Sequence, residues 1–120
     1  MSTALRISPI FPVRDLDVAL KHYRRLGFAV RTYPPDGYGY ASRDGIEIHL
    51  GVISGKDRHT GSAYLFVEDA DQLAVQWRAE GVEVHQPQDT EWGQHEGAVI
   101  DPDGNVIRFG SPMPDSRPQP

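Results

Sequence analysis

Two eight-residue segments of the chain share one pattern but carry side chains of different chemistry. Residues 44–51 read DGIEIHLG and residues 103–110 read DGNVIRFG, so His49 and Arg108 hold the same place in the two copies. An imidazole can transfer a proton or bind a metal near neutral pH, whereas a guanidinium stays charged and binds anions. Glu47 can supply the second group that acid–base chemistry needs. Chemistry at His49 is therefore the first possibility that the sequence raises.

The two segments belong to a longer internal repeat. VRDLDVALKHYRRLGFAV (13–30) aligns without a gap on VEDADQLAVQWRAEGVEV (67–84) with six identities in eighteen positions, whereas average residue frequencies predict about one. In each copy apolar residues recur at helical spacing, and Trp77 takes the place of Tyr23 on the face predicted to be core. Asp15 and Asp69, or Asp17 and Asp71 two residues further on, can cap the starts of these helices. Gly27 and Gly81 can end them in the left-handed conformation.

Short strands account for the rest of each copy. Apolar alternation and turn residues predict strands at 5–13, 28–33, 38–43 and 46–53, and again at 62–68, 82–86, 96–100 and 105–110. The sequence therefore predicts an α+β fold of two paired βαβββ modules, about 5–53 and 62–110, in which a curved mixed sheet surrounds a cavity. We expect a single domain over residues 1–110, a polar link at 54–61 and a disordered tail over 111–120.

The composition of the 120 residues restricts the classes of partner. The net charge is −5, and the only cluster of basic residues is Lys21, Arg24 and Arg25, so a nucleic-acid partner is not expected. Without cysteine, the chain has no disulfides and no thiolate chemistry. No segment resembles a signal peptide or approaches the ~18 apolar residues of a membrane span, and we expect a cytoplasmic protein without a membrane partner. The acidic surface weakly favours cationic ligands.

Side-chain alternation along the last strand of each copy selects residues that face the cavity. Apolar side chains on one side belong against the helix, which leaves Glu47, His49 and Arg108 on the open side. Ser8 and Ser62 occupy equivalent places in the first strand of each copy and can face the same way. The predicted lining of the cavity is therefore Ser8, Glu47, His49, Ser62 and Arg108.

Aromatic residues outside the helix pattern form a second set of candidates. Tyr33, Tyr38 and Tyr40 flank the PPDGYGY turn, where they are either surface residues or ligand contacts. Trp92, in the loop QPQDTEWGQHE, either covers the edge of the core or stacks on a flat ligand. Arg108 either pairs with a glutamate or binds an anionic group of the ligand. The candidate ligand-binding residues are Tyr33, Tyr38, Tyr40, His49, Trp92, His95, Glu96 and Arg108.

These motifs resemble the vicinal oxygen chelate superfamily, which includes glyoxalase I, extradiol dioxygenases and the fosfomycin and bleomycin resistance proteins. The resemblance covers residues 7–110 and is carried by VRDLDVALKHYRRLGF, VEDADQLAVQWRAEGVEV and WGQHEGAVIDPDGNVIRFG. In the metal enzymes of this superfamily, the positions of Ser8, His49, Ser62 and Arg108 supply the ligands of one divalent metal. Only His49 can ligate well here, and a catalytic metal normally takes about three protein ligands. The sequence therefore predicts neither a metal nor a cofactor.

The chain is most similar to the metal-free bleomycin resistance proteins, in length, acidity and its WG…DP-x-GN ending. This resemblance implies a homodimer that sequesters a cationic glycopeptide antibiotic in crevices between subunits. Pro9 matches the hinge proline at which the N-terminal strand of these relatives is swapped to the partner subunit. Gly97 replaces an aromatic residue of many relatives, which predicts a wider pocket. The alternatives are a superfamily lyase, isomerase or dioxygenase with an atypical metal site, and a metal-free enzyme with His49 as general base.

Overall fold

The chain folds as two copies of one strand–helix–three-strand module. A computed structural model describes residues 2–33, 37–53 and 59–113. The first module consists of β1 (Ile10–Val13), α1 (Leu16–Arg25), β2 (Ala29–Tyr33), β3 (Tyr38–Arg43) and β4 (Ile46–Val52). The second consists of β5 (Ser62–Phe66), α2 (Ala70–Ala79), β6 (His85–Asp89), β7 (Gln94–Ile100) and β8 (Val106–Pro112). The predicted α+β fold of two βαβββ modules is confirmed.

Each module has its own mixed four-stranded sheet. The strand orders are β1-β4-β3-β2 and β5-β8-β7-β6, and only the first pair in each order is parallel. Ile10 pairs with His49 in the first sheet, and Tyr64 pairs with Arg108 in the second. Because these pairs are equivalent in the sequence repeat, the duplication is present in the strand register as well. The helix of each module covers one face of its sheet, and we call the other face the open face.

Side-chain caps and left-handed glycines define the two helices, as the repeat predicts. The carboxylate of Asp15 accepts from the backbone N–H of Val18 at 3.2 Å, and that of Asp69 accepts from the backbone N–H of Gln72 at 3.0 Å. The glycines that follow the helices have φ values of 88° at Gly27 and 83° at Gly81. An L side chain is strained in this conformation, so both helices end where glycine permits the turn.

The helix faces of both sheets contribute to one buried core. Trp77 is 1% exposed, which confirms it as a core residue, and its indole N–H donates to the carbonyl oxygen of Leu26 at 2.9 Å. The Tyr23 hydroxyl donates to Oδ2 of Asp101 at 2.9 Å. Each of these bonds crosses from one module to the other. Two large aromatic side chains therefore fill the core and also satisfy polar groups at the junction between modules.

The DPDGN turn before β8 also connects the modules. Asp101 accepts from the backbone N–H groups of Asp103 and Asn105, which closes the turn. The amide of Asn105 donates to the carbonyl oxygen of Pro12 at 2.9 Å and accepts from the backbone N–H of Gly61 at 2.7 Å. Asn105 is therefore hydrogen-bonded to a residue of β1 and to the residue that precedes β5. The motif has a structural role, since every bond described for it satisfies a backbone or side-chain group of the chain itself.

Several strand bounds differ from prediction. The strand predicted over 5–13 begins at Ile10, and Leu5 and Ile7 before it are 91% and 94% exposed. The strand predicted over 82–86 begins at His85, because Val82 is buried in the connection that follows α2. Strand β8 continues to Pro112, which shortens the predicted tail, and residues 114–120 lie outside the described part of the chain. No helix in the described ranges is long and apolar enough to span a membrane.

Candidate functional site

A hydrogen-bonded network centred on His49 occupies the open face of the first sheet. The hydroxyl oxygen of Tyr38 lies 2.8 Å from Nδ1 of His49, and Oε1 of Glu47 lies 2.9 Å from Nε2. The tautomer with its proton on Nε2 satisfies both partners: the ring donates to Glu47 and accepts from Tyr38. Alternation along β3 and β4 brings the three side chains to this face. Both ring nitrogens of His49 are therefore already engaged within the chain.

Glu47 is the charged centre of this network. Its Oε2 accepts from the Ser42 hydroxyl at 3.1 Å and pairs with Nη2 of Arg31 at 3.1 Å. The hydrogen bond from His49, with those from Ser42 and Arg31, lowers the pKa of Glu47 below its usual value. The carboxylate is therefore ionised at neutral pH, with a side chain only 19% exposed. Sequence alone identified Glu47 and His49 but gave no reason to select Arg31 or Ser42.

Aromatic rings surround His49 and Glu47. The rings of Tyr38 and Tyr40 lie edge-to-face at 5.4 Å, and the Tyr40 and His49 rings lie 4.8 Å apart. Burial raises the pKa of Tyr38, so its phenol keeps its proton at neutral pH. Tyr33 pairs with Tyr38 in the sheet and is largely exposed. The predicted contacts Tyr33, Tyr38, Tyr40 and His49 thus lie together on one open face.

A second cluster lies on the open face of the second sheet. The indole N–H of Trp92 donates to Oε1 of Glu96 at 3.3 Å, and Nη1 of Arg108 lies 3.5 Å from Oε2 of the same carboxylate. Trp92 is 58% exposed although it is a large aromatic residue. These three residues border a cavity of about 520 Å³, together with His85 and Gln88. The predicted contacts Trp92, Glu96 and Arg108 are therefore also brought together.

Tyr64 belongs to the second cluster and was not selected from the sequence. It lies beside Arg108 in the sheet, its ring is 4.7 Å from that of Phe66, and Phe66 is largely exposed. Its buried hydroxyl has no hydrogen-bond partner among the described residues. Burial and the nearby Glu96 carboxylate raise the pKa of Tyr64 to about 12. The alternation that places Ser62 on the open face also places Tyr64 there, so the signal was available.

His95 and Gly97 lie on the helix side of β7, which differs from expectation. Nδ1 of His95 lies 2.8 Å from Oδ1 of Asp89, and Nε2 lies 2.8 Å from Oδ1 of Asp71 in α2. Its ring therefore does not face the cavity of the second cluster. A side chain does not fit at Gly97 without movement of its neighbours, because a Cβ there would lie 2.6 Å from the carbonyl oxygen of His85 and 2.8 Å from the Phe109 ring. Gly97 also borders the cavity of the second cluster, and a pocket widened at this position stays a prediction.

Comparison with known proteins identifies the family of this fold. The model of the Glyoxalase/Bleomycin resistance protein/Dioxygenase superfamily matches residues 6–109. The chain belongs to this superfamily.

The relatives include antibiotic-binding proteins. A bleomycin resistance protein of Klebsiella pneumoniae is 27% identical over 112 residues, which cover 85% of this chain and 88% of that protein. The crystal structure of a bleomycin-binding protein complexed with bleomycin superposes with a TM-score of 0.79 at 25% identity, over 92% of this chain and 100% of that one. The bleomycin resistance determinant encoded on the transposon Tn5 superposes with a TM-score of 0.80 at 24% identity, over 92% and 99%. At 24% identity this last likeness concerns the fold alone.

The metal site of the superfamily's enzymes does not fit the residues of this chain. Ser8 is half-buried just before β1, and Ser62 is exposed at the start of β5. Arg108 has no lone pair to offer, and both nitrogens of His49 are hydrogen-bonded to side chains. Among the described residues, no group of three or more histidines, aspartates or glutamates could hold a metal ion. The donor set at these positions therefore does not suit a divalent cation.

The open faces of this superfamily member are separate surfaces within one chain. The contacts described for His49 come from β3 and β4, and the ion pair of Arg108 is with Glu96 on β7. The hydrogen bonds that join the modules instead run through the helix ends and the DPDGN turn. Positions expected to line one hollow are therefore divided between two sheets. The core explains this arrangement, because the apolar helix sides of the modules, not their open faces, pack together.

A further cavity is bordered by both modules. It measures about 890 Å³ and is bordered by residues of the first module, including Arg43 and Asp44, and of the second, including Phe66, Glu68 and Gln72. None of the candidate ligand-binding or cavity-lining residues selected from the sequence borders this cavity. Its walls come from segments distant in sequence, so no local pattern could have predicted it.

Proposed function

We propose that the protein binds a cationic small-molecule antibiotic of the bleomycin type and sequesters it without chemical change. The observation that carries this proposal is the exposed indole of Trp92 held against the Glu96 carboxylate beside a cavity of about 520 Å³. A flat ring can stack on the indole, and a cationic group can pair with the carboxylate. The curated bleomycin resistance protein and the bleomycin-bound neighbour support this class of ligand.

The charge of the protein favours such a ligand. The net charge is −5, which raises the local concentration of cations near the surface. Glu47 on the first open face is hydrogen-bonded to the His49 ring, and Glu96 on the second is hydrogen-bonded to the Trp92 indole. A carboxylate beside an aromatic face is a suitable environment for a planar cation.

The geometry of His49 favours binding over catalysis. A general base needs a free lone pair directed at the substrate, and Nδ1 and Nε2 of His49 already face Tyr38 and Glu47. The raised pKa of Tyr38 keeps the proton on its phenol, so Tyr38 cannot serve as a base in its place. The enzyme alternative with His49 as base would require this network to open first.

A homodimer would bring the two kinds of open face together. Leu5 and Ile7 project into solvent from the segment that precedes Pro9, where they contribute nothing to the core of their own chain. Burial of such side chains against a second copy is favourable, and two-fold pairing is the commonest form of self-association. We propose that this N-terminal arm crosses to a partner and that the antibiotic binds in crevices between subunits.

A pair of charge-matched variants tests the proposal. Titration calorimetry should show saturable binding of bleomycin to the wild-type protein, weaker at high salt because screening reduces the long-range attraction. Glu96→Gln should weaken binding by about ten-fold, since a hydrogen bond to a charged group contributes roughly 1.5–3 kcal/mol. Glu80→Gln removes the same charge from the exposed end of α2 and should have little effect. Absence of wild-type binding, or equal losses in both variants, would contradict the proposal.

A further inference from the structure

Arg31 occupies a defined position on the open face of the first sheet. It lies on the edge strand β2, and its Cζ is 3.9 Å from the centroid of the Tyr40 ring. Its Nη2 is 3.1 Å from Oε2 of Glu47. The guanidinium therefore lies over an aromatic ring while it pairs with a carboxylate, although the side chain is 60% exposed.

The groups around this guanidinium are fixed independently of Arg31. Glu47 is oriented by hydrogen bonds from Ser42 at 3.1 Å and from His49 at 2.9 Å. The Tyr40 ring is held edge-to-face by the rings of Tyr38 and His49. A carboxylate and an aromatic face are thus arranged in advance, which is the requirement for binding a planar cation.

Arg31 itself is weakly held. Ion pairs and cation–π contacts at exposed sites contribute little to stability, and a long side chain loses rotamer freedom when it makes them. An external cation of the same shape can make the same two contacts. The contacts described for this face include two charged residues, Arg31 and Glu47, so departure of Arg31 changes the local charge from balanced to negative.

We infer that Tyr40 and Glu47 form a subsite for a planar organic cation, an amidinium or guanidinium group, and that Arg31 fills it in the free protein. The ligand displaces Arg31. Because Arg31 competes for the subsite from within the same chain, it lowers the affinity with which the subsite binds the ligand. This deepens the proposed function, on which it rests, because it names the chemical group that an antibiotic would place on the first open face. The subsite lies on the first sheet, whereas the Trp92 cluster lies on the second. One extended ligand would therefore have to span two modules to occupy both sites.

Titration of phenylguanidinium chloride into the wild-type protein and Arg31→Ala tests the inference. Binding is followed by NMR, with the ring resonances of Tyr40 and His49 as local reporters. Arg31→Ala should bind the probe at least ten-fold more tightly than wild type, because the competitor is gone and the carboxylate remains. Arg31→Gln, which keeps most of the side-chain bulk, should also bind more tightly. Addition of Glu47→Gln to Arg31→Ala should abolish the gain.

The control is Arg24→Ala, an exposed arginine of α1 that belongs to the helix surface. It produces the same change in net charge and should leave the affinity for phenylguanidinium unchanged. If Arg31→Ala binds the probe no more tightly than Arg24→Ala, the inference is overturned. The inference is also overturned if Arg31→Ala keeps its higher affinity for phenylguanidinium after Glu47→Gln is added. Bleomycin titration separates the two proposals. Absence of bleomycin binding to the wild-type protein would refute the proposed function, whereas the phenylguanidinium comparison tests the subsite by itself.

Discussion

The indole N–H of Trp92 donates to Glu96 at 3.3 Å while more than half of the Trp92 side chain remains exposed. A tryptophan that only covered the core edge would bury its ring and leave its N–H to a backbone acceptor or water. Here the carboxylate fixes the orientation of an exposed ring face. The ring is therefore pre-organised for stacking, and binding loses less side-chain entropy than it would with a mobile indole.

Replacement of Trp92 should reduce ligand affinity without reducing stability. Trp92→Ala removes the stacking face, and bleomycin binding should fall by ten-fold or more, since ~1.4 kcal/mol corresponds to a factor of ten. Trp92→Phe should retain part of the affinity because it keeps an aromatic face but loses the bond to Glu96. Fluorescence and calorimetric titration measure both. Equal affinity of wild type and Trp92→Ala would exclude the stacking role.

The other tryptophan should behave in the opposite way. Trp77 is buried and donates to the carbonyl oxygen of Leu26 across the module junction, so Trp77→Ala leaves a cavity and removes one of the two hydrogen bonds of that carbonyl, which also accepts from Arg43. It should destabilise the protein by ~3–5 kcal/mol, the usual cost of truncating a core aromatic. Val75→Ala on the exposed side of the same helix should change stability by less than about 0.5 kcal/mol. Urea denaturation of the three proteins measures the difference in the free energy of unfolding. Similar stabilities of wild type and Trp77→Ala would contradict the role of Trp77 in the core.

The sequence predicted those features that depend on local or repeated patterns. Asp15 caps the start of α1 with its side chain and Gly27 ends it with a left-handed backbone, and the sequence repeat extended both predictions to α2. The direction of His95 was not predictable in the same way, because it depends on the register between β7 and its neighbours. No sequence pattern selected Arg31, because the role proposed for it rests on contacts with Tyr40 and Glu47 on other strands.

The position of His95 predicts a pH dependence of stability. The hydrogen bond to Asp71, and then that to Asp89, raise the pKa of His95 above its ordinary value of 6.5. Since the folded pKa is above the unfolded one, this stabilisation is complete below about pH 6.5 and is lost as pH rises through the folded pKa. The excess stability of wild type over His95→Gln should therefore be greater at about pH 5.5 than at about pH 9.

The size of this effect is limited by exposure of the carboxylates. Asp71 and Asp89 are 63% and 64% exposed, so each pair should contribute no more than about 1 kcal/mol. Melting temperatures of wild type and His95→Gln across this pH range measure it. His85→Gln, at an exposed histidine at the start of β6, serves as the control. A difference between wild type and His95→Gln that grows towards alkaline pH would contradict the assignment of a raised pKa.

The N-terminal arm leads to the last prediction, which concerns assembly. Leu5 and Ile7 are almost completely exposed in the single chain, whereas the core is complete without them. Two exposed aliphatic side chains are each worth roughly 1.5–3 kcal/mol when buried, and a symmetric dimer buries four of them. Sedimentation at micromolar concentration should therefore give twice the chain mass of 13.4 kDa.

The double variant Leu5→Asp, Ile7→Asp should sediment as a monomer with an intact fold, because neither residue packs on its own chain. Val18→Asp, a change of the same kind on the exposed side of α1, should remain dimeric. Bleomycin affinity measured on the same three proteins then tests the crevice: a monomeric double variant that binds as tightly as wild type would place the site within one chain.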